Sequence, residues 1–259
     1  MNPVESLMLQ HVLPHGVTYL LGLLSDKLSA FYTVSRLERF LWKNKSKDPL
    51  IVVHGGYDSL KNIKKETGIG ERLFTLENPV DNIEVIAFCA LVSKWQCVHK
   101  QSIEFKSDLE MKKESSCSFL SLGGPDFNIK SFQQVMPNSF QLKWPAKGES
   151  ISVAGKSFEK FRSSSEYEYA VVMRQTIAQS HSYILCAGLG ANGTLWAGKY
   201  LATKWKEIHS KISRFSWCPF VRTPDFLVIL RFRRSNYLDA TICAAFVCKD
   251  KVTRELFSL

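Results

Sequence analysis

The chain lacks most of the signatures that would name a chemistry outright. It has no run of about 18 apolar residues, the least that a membrane-spanning helix needs, and its apolar runs, such as 17–24 and 242–248, fall far short. No span is expected. No GxxxxGK[ST] sequence occurs, which argues against a P-loop nucleotidase. The 7 cysteines form an odd set with no CxxC pair, several of them inside apolar runs. Reduced, buried thiols are expected, with neither a disulfide framework nor a bound metal. Residues 1–13 carry Glu5 and no lysine or arginine, so the basic start of a secretory signal is missing and a cytoplasmic location is expected. No internal repeat and no low-complexity tract interrupts the 259 residues.

What the chain does have is a net charge of +10 on an ordinary globular composition, 45% hydrophobic and 22% charged. The basic residues are scattered rather than gathered in a tail, and their field favours a polyanion such as a nucleotide or RNA. Lys143-Trp144, Lys204-Trp205 and Arg231-Phe232-Arg233 interleave cations with aromatics, as a single-stranded nucleic-acid platform would. Strict alternation over 231–234 favours the plainer alternative, a strand with its aromatic in the core and its cations in water.

Hydrophobic spacing lays out the elements. Leu20, Leu24, Leu28, Phe31, Leu37 and Leu41 line one face of a predicted helix over 17–44, suited to self-association or a protein partner. A turn at 46–49 separates this helical segment, 1–48, from an α/β domain over 49–259. There, strands are predicted at 49–56, 97–105 and 117–124, and a helix at 82–95 capped by Asp81. The tract 57–79 reads as a short helix plus loop, and the charged connection 106–116 as a short helix. Further strands follow at 139–145, 151–155, 168–177 and 182–188, then a helix at 194–212 and a closing hairpin at 225–233 and 239–247. Strands that alternate with helices and then give way to hairpins predict a Rossmann-like mixed sheet flanked by helices.

Three of these strands end in glycine: Gly55-Gly56, Gly123-Gly124, and Gly188-x-Gly190-x-x-Gly193-Thr194. At the carboxyl end of a parallel strand, glycine lets backbone amides approach a phosphate, and a helix starting there adds free N–H groups and a favourable dipole. The last turn matches the dinucleotide fingerprint in spacing but comes late in the chain, with no acidic residue at the end of a following strand some 20 positions on for a ribose. Its plainer alternative is a tight turn with close helix–strand packing.

"SLGGPDFN" followed by "CAGLGANGTLWAGKYLA" resembles the Rossmann-like nucleotide-sensing and effector domains of prokaryotes, a group that includes nucleoside deoxyribosyltransferase-like, SLOG and TIR domains. The same residues are similar to prokaryotic proteins of unknown function with a GGPxxN turn and a later AGxxxxGTxxAxxxL turn and helix. The resemblance covers roughly residues 120–200 and implies a nucleotide or NAD-related ligand and a sensor or antiviral defence role. In the deoxyribosyltransferase-like enzymes a glutamate follows the glycine-threonine pair by three residues. Ala197 stands there in this chain, and a methyl group is neither nucleophile nor base. The resemblance therefore implies binding without cleavage by that route.

The candidate ligand residues are thus Gly55, Gly56, Gly123, Gly124, Asp126, Asn128, Gly188, Gly190, Gly193 and Thr194, with Asn128 suited to a base or sugar. Asp126 and Glu84 are the weak catalytic candidates, Glu84 as the helix carboxylate a TIR-like NADase needs. Asp58 and Asp81 are less well placed. His54 precedes a glycine turn, whereas His99 and His181 have no partner suggested by spacing. Three readings follow: a nucleotide-binding sensor domain, an NAD- or nucleoside-cleaving glycosidase, and an RNA-binding accessory protein.

Overall fold

The computed structural model describes residues 37, 40, 50–55, 79–95, 103–111, 117–125, 128, 130, 131, 133, 140–144, 150–177, 181–213, 224–249 and 252–258, with 79–85, 177, 191, 237 and 249 described by backbone alone. The chain divides into two units, Met1–Glu38 and Arg39–Leu259. Apart from Leu37 and Phe40, both helical, the helix expected over 17–44 lies outside the described residues. The second unit begins earlier than the turn at 46–49, because Phe40 stacks on Phe226 at 5.2 Å and tilts against Trp205 at 5.7 Å.

The elements run β1 (Leu50–His54), α1 (Pro79–Trp95), β2 (Ile103–Ser107), β3 (Phe119–Leu122), β4 (Ile151–Val153), β5 (Lys156–Phe158), β6 (Tyr167–Ile177), β7 (His181–Gly188), α2 (Ala191–Ser213), β8 (Asp225–Arg233), β9 (Asn236–Lys249) and β10 (Val252–Ser258). Eight strands form one sheet in the order β10-β9-β8-β6-β7-β3-β1-β2. Its β7-β3-β1-β2 half is parallel and its β6-β8-β9-β10 half antiparallel. This is the expected Rossmann-like α/β class with a mixed sheet.

The parallel strands β1, β3 and β7 carry near-continuous apolar runs because both of their faces are covered, whereas β2 at the sheet edge carries Glu104 and Lys106. On one face α1 lies against β1 and α2, and α2 crosses β6 to β9. Leu201, Trp205, Ile208 and Ile212 of α2 are all buried, as their spacing requires. The two helices approach closely at Gly198, where a Cβ would come within 3.0 Å of the Ala87 methyl. On the other face the β4–β5 hairpin brings Phe158 and the following Phe161 onto Val53, Phe119, Tyr169, Val171 and Leu227 in one buried cluster. Each such side chain contributes about 1.5–3 kcal/mol by leaving water.

Several expected boundaries move for identifiable reasons. Helix α1 starts at Pro79, whose fixed φ suits a first helical position, so Asp81 lies inside the first turn instead of capping it. Helix α2 starts at Ala191 and takes Gly193 and Thr194 into its first turn. The strand expected over 139–145 is absent from 140–144: Gln141 has φ 51°, and only Lys143 pairs, through an isolated bridge to Ser152. The strand expected over 151–155 is a complete hairpin, turned at Ala154 and Gly155 with φ of 52° and 77°. Two consecutive positive φ values match the twist of a two-residue β-turn. Of the strand expected over 97–105, residues 97–102 lie outside the described residues; the described strand runs on to Ser107, and the connection after it opens with a turn closed by Ser107 and Glu110. Their backbone and side-chain groups bond reciprocally, as in a capping box.

Strand β6 carries a buried charge towards each end. Arg174, 1% exposed, donates to the Pro224 carbonyl (3.3 Å) and Ser182 Oγ (3.2 Å) and pairs with Asp225 at 3.4 Å. Asp225 also accepts from the Thr176 amide (2.9 Å) and hydroxyl (2.8 Å). Burial pushes the guanidinium down to about 10, against the pull of Asp225.

Among the described residues no helix is long and apolar enough to cross a membrane, and no three histidine, cysteine or acidic side chains gather as a metal site. Cys186, Cys243 and Cys248 are buried, Cys117 is half-buried and Cys89 is exposed. At the closing strands, Phe232 is buried and Arg231 and Arg233 are exposed. The alternation there separates core from solvated cations.

Candidate functional site

Parallel pairing fixes where the glycine turns lie. Val53 of β1 is level with Ser121 of β3, and Leu122 of β3 is level with Cys186 of β7. Gly55, Gly123 and Gly188 therefore reach the same sheet edge on three adjacent strands. Strand β6 runs the other way and starts at this edge, where the Leu189 amide donates to the Tyr169 carbonyl (2.9 Å). Between β1 and β3 the chain order diverges, since β1 leads through α1 to β2 on one side while β3 lies on the other. That divergence is the crevice where open α/β sheets take their ligands.

Asn128 closes the floor of this crevice. It is 0% exposed, and its Nδ2 donates to the carbonyls of Val53 (3.3 Å) and Leu122 (3.0 Å), tying together the ends of β1 and β3. Its Oδ1 accepts from the Ser131 amide at 3.1 Å, in the manner of a helix N-cap. Three backbone partners thus engage the amide expected to meet a base or sugar, and Asn128 supports the crevice from beneath. Ser131 donates to the Gly123 carbonyl (2.8 Å), and its oxygen lies 2.6 Å from Ser121 Oγ. Lys130, also buried, places its ammonium 5.7 Å from the Phe119 ring centre.

Within the Gly123-Gly124 pair the two residues differ. Gly123 has φ 107° and its amide donates to the Cys186 carbonyl (3.0 Å), so it shapes the turn and locks it to β7. Gly124 instead makes room for Trp144, whose indole would lie 3.0 Å from a Cβ there. On the β1 side, the His54 ring stacks on Phe105 at 4.3 Å and Phe105 on Phe88 at 4.4 Å, with His54 Nδ1 2.9 Å from the Gly55 carbonyl.

The turn after β7 is occupied by the protein itself. Glu168 of β6, 1% exposed, accepts from the Gly193 amide through Oε1 at 2.6 Å. A Cβ on Gly190 or Gly193 would come within 2.7 or 2.9 Å of that same oxygen. Its other oxygen faces Arg234 Nη2 at 3.9 Å, and the arginine side chain is 42% exposed. Burial raises the Glu168 pKa, opposed by the Gly193 amide, the Arg234 charge and the Gly190 amide. A carboxylate of the chain thus sits at the helix N-terminus where a ligand phosphate was expected. Around it the turn is closed: the Gly188 amide donates to Thr194 Oγ1 (3.1 Å), and a Cβ on Gly188 would overlap the backbone of Gly193 and Thr194. Gly188, Gly190, Gly193 and Thr194 are accounted for by close packing around Glu168. Ala197 is fully buried one turn further on.

Gly56, Asp58, Asp126 and His99 lie outside the described residues, and Asp81 and Glu84 are placed by backbone alone on the first two turns of α1. His181 begins β7, at the opposite edge of the sheet from the glycine turns. Sequence reasoning did not single out Glu168, and it marked Trp144 only as one of several aromatics beside a cation. For Glu168 a signal was present: in "EYEYAVV" it shares the register of Ala170 and Val172, so an acid points inward beside a helix with no acid in its own first turn.

No family model, curated protein or solved structure matches this chain. The functional reading rests on the geometry.

Proposed function

We propose that this domain binds a nucleotide or nucleotide-derived ligand at the β1/β3 crevice and acts as a sensor or regulatory module. One observation carries the reading: β1 and β3 are adjacent and parallel, diverge in chain order, and end side by side in Gly55 and Gly123. The basic surface, +10 overall, supports an anionic ligand by raising its local concentration. The resemblance of the 121–128 and 186–202 segments to prokaryotic nucleotide-sensing and defence domains points the same way. The test is mass spectrometry of small molecules released from gently purified protein, with a thermal-shift screen of nucleotides. A co-purifying nucleotide, or a shift of several degrees by one, is expected. No released nucleotide and no shift by any would overturn the reading.

One observation favours an enzyme as the second reading. A buried carboxylate with a raised pKa, Glu168, stands at the same edge, where glycosidic chemistry would use an acid. Turnover of NAD or nucleosides that disappears in a folded Glu168→Gln protein would establish it. Unchanged turnover in that variant, or none in the parent protein, would remove it.

A further inference from the structure

Glycines at the ends of β1 and β3 would let a phosphate approach the backbone, but they do not distinguish a nucleotide from a sugar phosphate. The indole of Trp144 supplies a group that would. Around Gly124, a Cβ would come 3.0 Å from Cζ2, 3.2 Å from Cε2 and 3.3 Å from Nε1 of that ring. The edge that bears the indole N–H therefore lies directly on the turn after β3, beside the crevice.

The ring is also held in place. The Lys143 amide donates to the Ser152 carbonyl (2.9 Å) and the Ala154 amide to the Phe140 carbonyl (2.8 Å), which fastens 140–144 to the β4–β5 hairpin. Leu142 is buried, and Trp144, only half-buried, packs against the cluster that contains Phe119 and Tyr183. A partly buried indole on an anchored backbone loses little freedom when a planar partner stacks on it, and base stacking on aromatics is tolerant of sequence.

We infer that Trp144 is the base platform of the site, and that the ligand is a nucleoside phosphate whose base stacks on the indole while its phosphate lies over the turn after β3. This rests on the binding reading above and narrows its ligand: ribose 5-phosphate and inorganic phosphate lack the group that Trp144 recognises.

The experiment is a titration of the whole chain with AMP, GMP, CMP and UMP and, separately, ribose 5-phosphate, followed by tryptophan fluorescence and by thermal shift. Trp144→Phe, which keeps a ring on Gly124, isolates the signal of Trp144 from that of the other tryptophans. At least one nucleoside phosphate is expected to quench the parent protein and to bind about ten-fold or more tighter than ribose 5-phosphate. The quench is expected to vanish in Trp144→Phe while binding persists, and a folded Trp144→Ala to lose about ten-fold in affinity. Nucleotides and ribose 5-phosphate binding equally, with no loss in Trp144→Ala, would overturn the inference and leave the binding reading standing. Should Trp144→Ala fail to fold, a quench in the parent that persists unchanged in Trp144→Phe overturns it instead. Binding of none of these probes would overturn both.

Discussion

The two buried charges of β6 face opposite edges of the same sheet, and they are satisfied differently. Arg174, near the end of the strand, has Asp225, the Pro224 carbonyl and Ser182 around it, and Asp225 is itself braced by Thr176. Glu168, near the start, accepts from the Gly193 amide at 2.6 Å, has the Gly190 amide beside it and faces a half-exposed arginine at 3.9 Å. The first arrangement closes the sheet where no turn needs to be open. The second lies beside three glycine-ended strands and keeps an ionisable group in a place that desolvates it. A closed edge and a strained edge on one strand mark which end of the sheet is available for a ligand.

Breaking the closed edge has the largest expected effect. Arg174→Met leaves the Asp225 carboxylate without its cation and should cost about 3–5 kcal/mol, read from chemical denaturation. At the other edge, Asn128→Ala strands the carbonyls of Val53 and Leu122 and the Ser131 amide together, for about 2–4 kcal/mol at about 1–3 per buried group, partly relieved by water. The same variant should weaken any nucleotide that seats between β1 and β3, because their ends are no longer tied. Gly193→Ala forces a methyl towards Glu168 Oε1 and the Gly188 Cα and should cost about 1–3 kcal/mol, less than either.

The smallest effect carries the sharpest sign. The Glu168 pKa is raised in the folded protein, so between the ordinary carboxylate value and the raised one the folded state holds a proton that the unfolded chain has lost. Its contribution is favourable at low pH and is lost as pH rises through the folded value. Glu168→Gln, whose carbonyl still accepts from Gly193, should therefore gain on the parent protein in melting temperature from about pH 4 to about pH 7. An Arg174 variant should show no such crossover in that range, since its guanidinium titrates near 10.

Much of the fold was legible because its signals are local. Continuous apolar runs marked β1, β3 and β7, and the spacing of Leu201, Trp205, Ile208 and Ile212 marked α2. Strand β10 was missed because it is a charged edge strand, with Arg254 and Glu255 exposed and no buried alternation to read. The hairpin at 154–155 was missed because alanine is an uncommon residue at positive φ, where Asn-Gly or Asp-Gly would have announced the turn. At the site, the glycines could be found by their positions at strand ends. Their division of labour could not, because it depends on Glu168, Trp144 and Asn128 arriving from distant parts of the chain. A glycine that clears a carboxylate and one that clears a phosphate look the same in sequence.

The most direct test of a ligand site at the β1/β3 edge is backbone amide exchange, measured with and without a saturating nucleotide identified by the thermal-shift screen. Protection is expected over 53–55 and 122–125, with little change over 174–177, 181–183 and 224–226. Protection confined to the Arg174 edge, or none at either edge while a nucleotide is bound, would contradict the account.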